Sequence, residues 1–197
     1  MYYFIKNTRF DYGDLTFNPP EDSYLGFPTV IPLKKGTTVT MHVRSPLTRN
    51  FNADYIRANR GDLCSLKLRK ILEEENCGIL FYETQVFDRK GNPIENKYYL
   101  MHISDRFNCF DYDSSIFNNK DLFISSDYKD FGLLSNFDFV KLNEEIIGKS
   151  RCFYALNFSL SFMPIISEVI AKKLISAKLK GIEIIPASEF KWKRLAW

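Results

Sequence analysis

SLKLRKILEEENCGILFYETQVF, residues 65–87, decides the fold, because within it the hydrophobic period changes from that of a helix to that of a strand. Leu68, Ile71 and Leu72 recur at i, i+3 and i+4, with Lys67, Arg69 and Lys70 between them, which predicts an amphipathic helix. Ser65 stands where an N-cap hydroxyl would accept a first-turn N–H. Glu73, Glu74 and Glu75 crowd the other end, where the macrodipole disfavours carboxylates; they read as a solvated end or as a contact surface. Ile79–Phe87 is rich in aromatic and β-branched residues and reads as a strand. Asp88–Pro93 is a turn with Gly91 suited to positive φ. Lys97–Ser104 then returns as a strand, Tyr98, Leu100 and His102 alternating with Tyr99, Met101 and Ile103.

Working outward, residues 2–6 and Val39–Val43 are strands, separated by a Pro- and Gly-punctuated stretch from Asp11 to Gly36. Residues 105–136 are polar and irregular, with short apolar pieces. Phe137–Leu142 and Arg151–Leu156 are further strand candidates. A second helix begins after Ser167, with Ile170, Ala171, Leu174, Ala177 and Lys178 on its face. Gly181 is the expected C′ stop, before a strand at Ile182–Ile185. Helices and strands do not alternate strictly. The expected class is therefore α+β: a mixed, mostly antiparallel sheet with two principal Ser-capped helices. The expected organisation is a single domain over 1–197, with a possible division into subdomains at about 1–104 and 105–197.

With 197 residues, the chain should bury roughly 70% of its surface without a metal or disulfide. Its 18 Phe, 11 Tyr and 2 Trp supply enough apolar side chain to exclude disorder. Cys64, Cys77, Cys109 and Cys152 form no C-x-x-C, and there are only two histidines, which argues against a zinc site; Cys109 and Cys152 lie in apolar runs and read as reduced core thiols. The N-terminal residues lack the charged start and apolar stretch of an export signal, so a cytoplasmic location is expected. The longest uncharged stretch, Cys152–Ser167, is too short and polar to span a bilayer.

Motifs for chemistry are sparse. His42 and His102 are the available imidazole bases, but no G-x-S-x-G elbow accompanies them and a structural histidine is the simpler reading. Asp111-Tyr-Asp113 opens like a calcium loop, yet Ile116 and Leu122 stand where Gly and Glu are required. Asp88, Glu95 and Lys97 match the Asp…Glu-x-Lys set of metal-dependent nucleases, the alternative function, although Glu95 and Lys97 flank a turn rather than a buried strand. The tail Lys191–Trp197 mixes basic and aromatic residues and reads as a segment that docks its Trp rings on the domain; a nucleic-acid-binding adaptor is a further alternative. The nine glycines form no phosphate loop, so nucleotide binding has no support, and no cofactor or small-molecule ligand is expected of the chain.

Charge is uneven. Residues 105–145 carry 4 basic and 9 acidic residues, a net of −5, between flanks of +2 and +6. Three segments then point to a family: Gly61–Leu72 with its Ser-started helix, the acidic Cys109–Ser114, and Ile166–Pro186 with a Ser-started helix, Leu179-Lys-Gly181 and an apolar strand. Together they resemble the bacterial immunity-protein family first described from a myxobacterial member and found beside polymorphic or contact-delivered toxins. The resemblance runs from about Asn52 to Pro186, and the first 50 residues read as particular to this chain. It implies a protein that binds a cognate toxin, carries no catalytic residue and needs no cofactor.

Such a toxin, if it attacks nucleic acid, is basic, and an acidic surface would steer the encounter. The expected interface lies between Asp105 and Glu145, with Asp111, Asp113, Asp121, Asp127, Tyr128 and Asp130 as contributors. Tyr112, Phe117, Phe123, Tyr128 and Phe131 would be its aromatic anchors. The competing reading is that the rings face the core and the aspartates only solvate the surface.

Overall fold

The computed structural model describes residues 1–8, 15–18, 32–43, 51–58, 61–118, 120, 136–156 and 163–193. Helix α1 (Leu66–Glu74) starts at Ser65, whose Oγ accepts the Leu68 N–H at 3.3 Å and donates to Asp54 Oδ1 at 2.6 Å. The cap is thus itself held in place, satisfying one of the helix's free donors. At the other end Asn76 takes the left-handed conformation (φ 52°). Its N–H donates to Glu73 O and the Cys77 N–H to Leu72 O, a Schellman closure. The glutamate run is only partly solvated: Glu75 is buried and ion-paired with Lys173, while Glu73 pairs with Arg69 at 2.8 Å.

α1 lies against β5 (Gly61–Ser65), β6 (Ile79–Phe87) and β7 (Tyr98–Ile103). It buries Leu68 and Leu72, and Arg69 stacks over Tyr99 at 4.3 Å and Phe81 at 5.5 Å. These strands join a six-stranded sheet with β2 (Leu15–Asn18), β3 (Val39–Val43) and β4 (Tyr55–Ala58), in the order β2-β3-β6-β7-β5-β4. Every ladder is antiparallel except β3–β6. The sheet face opposite α1 carries a core that includes Val39, Met41, Ile56, Leu63, Tyr82, Val86, Tyr98 and Leu100. All six residues of β7 are consequently buried, so its alternation of faces is not an alternation of burial.

A five-stranded sheet, β13-β1-β12-β11-β8, is built from β1 (Tyr2–Asn7), β8 (Arg106–Phe107), β11 (Cys152–Ala155), β12 (Ile165–Ser167) and β13 (Ile182–Pro186). A three-stranded ladder, β14-β10-β9, joins β9 (Ile116–Phe117), β10 (Asn136–Phe139) and β14 (Trp192–Lys193). The tail therefore enters the fold through its backbone, with Trp192 in register with Phe137. The last four residues lie outside the described ones. A second core, rich in phenylalanine, contains Phe4, Phe110, Phe117, Phe137, Phe153 and Phe190. α2 (Glu144–Ile147) is a single turn capped by Asn143, which accepts the N–H groups of Glu145 and Ile146.

α3 (Glu168–Ser176) follows Ser167, but the Ser167 Oγ is buried and has no hydrogen-bond partner among the described residues. The helix closes at Lys178 (φ 48°), whose N–H donates to Ile175 O, three residues before the Gly181 expected to stop it. Gly181 (φ 76°) does something else: a Cβ there would lie 2.6 Å from Ala53 Cβ and 3.1 Å from Tyr55 O. Asp54 secures this close approach, since its N–H donates to Lys180 O and its Oδ2 accepts the Lys180 N–H, both at 2.7 Å.

The chain forms two compact units. One comprises Met1–Lys6, Asp105–Ala171 and Ile184–Trp197; the other comprises Asn7–Ser104 and Lys172–Glu183. All four cysteines are free and buried. The fold is α+β, with mostly antiparallel pairing and two main helices.

Candidate partner-binding surface

The acidic segment enters the fold as a turn followed by the narrow β9–β10 ladder. The Asp111 N–H donates to Lys141 O at 3.0 Å, tying the turn to the chain beyond β10. Its Oδ1 accepts the Ser114 N–H at 3.0 Å. Hydrogen bonds from Ser114, backbone first and then side chain, hold the Asp111 carboxyl below the usual carboxylate range, and the Lys141 cation adds to this. Asp111 therefore spends its carboxylate on the turn. Asp113, at the tip, is exposed. The Lys120 ammonium donates to the carbonyl oxygens of Asp113, at 2.5 Å, and Ser115, at 3.1 Å.

The rings divide differently from the aspartates. Phe117 is buried and packs edge-on to Phe110, with Phe137 tilted beside it. Tyr112 is half-buried, its ring 4.7 Å from that of Phe110. For these two rings the core-facing arrangement holds. The residue that faces outward is Ile116, 59% exposed. Across the ladder, Phe137 pairs with Phe117 and Phe139 with Ile116, so Asp138 is the extra residue of a bulge, and it too is exposed. Neither Ile116 nor Asp138 was marked by composition or motif. A two-residue strand has too short a period to show which side chain points out. Asp121, Asp127, Tyr128 and Asp130, with Phe123 and Phe131, lie outside the described residues.

The residues of the alternative chemistries are placed elsewhere. Asp88 Oδ1 accepts the N–H groups of Lys90 and Asn92, and Oδ2 accepts Asn92 Nδ2, so its carboxylate closes the β6–β7 turn. Glu95 and Lys97 are exposed. His42 stacks on Phe87 at 5.2 Å, and His102 is buried within β7. Among the described residues, no three His, Cys, Asp or Glu side chains are grouped to hold a metal. No helix among them is long and apolar enough to cross a membrane.

No curated protein matches the chain. A family model, Immunity protein 43, matches residues 7–193. The match begins far upstream of Asn52, so the strands β2 and β3 are part of the family's domain and not an addition particular to this chain. With nearly its whole length so matched, the chain belongs to the Immunity protein 43 family.

Proposed function

We propose that this immunity protein neutralises its cognate toxin by direct one-to-one binding, without catalysis, in the cytoplasm of the producing cell. The toxin would arrive from a neighbouring cell, through contact-dependent delivery or type VI secretion. The observation that carries the reading is membership of an immunity family over residues 7–193. The net charge of −5 between residues 105 and 145 supports a contact there, with Asp111, Asp113, Asp121, Asp127, Tyr128 and Asp130 contributing. Carboxylates of this segment would draw in a basic toxin and compete for the site that receives its substrate's phosphates. Asp111 would contribute by shaping the turn that presents Asp113.

The test is co-expression with the toxin encoded beside it. Rescue of growth, with co-elution of the two proteins as a 1:1 complex on size exclusion, is the expected result. Unchanged killing together with separate elution would overturn the reading.

A further inference from the structure

We propose that Ile116 is the apolar anchor of the toxin contact, flanked by the carboxylates of Asp113 and Asp138. The inference rests on the binding reading above and names the side chains that carry it. In β9 the two side chains point to opposite faces, as pleating requires. Phe117 fills the core beside Phe110 and Phe137, which obliges Ile116 to face water at 59% exposure. Opposite this step, the bulge between Phe137 and Phe139 inserts Asp138 and leaves it exposed. Bulges recur where a side chain must be re-aimed out of a regular ladder.

The carboxylates of the segment are not equivalent. Asp111 is held by Ser114, Asp105 Oδ2 accepts the Ser150 hydroxyl at 2.6 Å, and Glu144 lies 3.6 Å from the Met1 ammonium. The side chains of Asp113 and Asp138 have neither a hydrogen bond nor an ion pair among the described residues. Two unengaged carboxylates, one three residues before the exposed isoleucine and one in the bulge across the ladder from it, fit a protein surface that offers an apolar socket rimmed by lysine or arginine. A nucleic acid is disfavoured because the same carboxylates repel phosphate. A second copy is disfavoured because a two-fold contact would set the acidic groups against one another.

The experiment measures binding of the catalytically silenced toxin domain encoded beside the gene to the full-length protein and to Ile116→Ala, Ile116→Lys and Asp138→Lys. Ile116→Ala should weaken the complex roughly tenfold and Ile116→Lys about a hundredfold or more. Asp138→Lys should act mainly by slowing association. Thermal midpoints should stay within a degree or two, because both side chains already face solvent. Wild-type affinity in folded Ile116→Lys would overturn the inference while leaving the function intact. A dimer of the free protein that dissolves in Ile116→Lys would overturn it in favour of self-association. No complex with the unsubstituted protein would overturn the function, and this inference with it.

Discussion

Gly181 shows how one residue can be marked by sequence for the wrong reason. A glycine after a periodic apolar run is the usual sign of a helix end, yet Lys178 supplies the left-handed residue that closes α3. Gly181 is needed because the chain there passes directly against Ala53 and Tyr55. Gly181→Ala adds a Cβ 2.6 Å from Ala53 Cβ in a left-handed conformation, so it should cost about 2–4 kcal/mol in a denaturation series. Gly78→Ala, also at positive φ but with open space around it, should cost only about 1 kcal/mol. Equal losses would show that backbone conformation, not the approach to Ala53, sets the requirement. The placement of Cys109 and Cys152 is more legible, since their apolar neighbours predict buried thiols and both are buried. Burial pushes the Cys109 thiol up to about 11. A raised value in the folded state means stability is present below the ordinary thiol value and is lost as pH rises through 11. At pH 8 the native protein should accordingly resist a thiol reagent that labels all four cysteines after unfolding. Rapid native labelling of Cys109 would contradict its burial.

Elements whose stability is mostly local were readable from local sequence. The Leu68–Ile71–Leu72 spacing behind Ser65 marks α1, and the β-branched and aromatic run marks β6, whose residues 79–87 are those observed. β8 and β9, two residues each, escape any periodic reading, because pairing with β11 and β10 creates them. The candidate surface was hidden by the same fact: whether Ile116 or Phe117 faces out is decided by which one the Phe110–Phe137 core accepts. The two serines before the helices look alike in sequence and differ in the fold. Ser65→Ala removes the cap of α1 and one of the two hydrogen bonds to the Asp54 carboxylate, and should cost about 1–2 kcal/mol. Ser167→Ala removes a buried hydroxyl with no hydrogen-bond partner among the described residues, so stability should hold or rise slightly. Urea midpoints of the two variants decide the matter, and equal destabilisation would mean that both hydroxyls cap.

At the scale of the whole molecule, charge works in two directions. The protein carries a net charge of +3, so at long range it repels a basic toxin. Residues 105–145 carry −5, so the remainder carries +8, and on the proposed reading attraction comes from the local segment. Screening separates the two contributions by distance. The Debye length is about 30 Å at 0.01 M salt, about 10 Å at 0.1 M and about 3 Å at 1 M. Added salt should first remove the long-range repulsion and only later the short-range attraction. The association rate should therefore rise from 0.01 M to roughly 0.1 M and fall beyond it. Reversing Asp127 and Asp130 to lysine together takes the segment from −5 to −1. The falling limb should then vanish, leaving a slower rate that only increases with salt, while the thermal midpoint hardly moves. Stopped-flow association across this range gives the test. A rate that falls steadily from the lowest salt would mean that only the acidic face is felt at any distance. Salt dependence unaffected by the double reversal, in a protein still folded, would place the toxin on another surface.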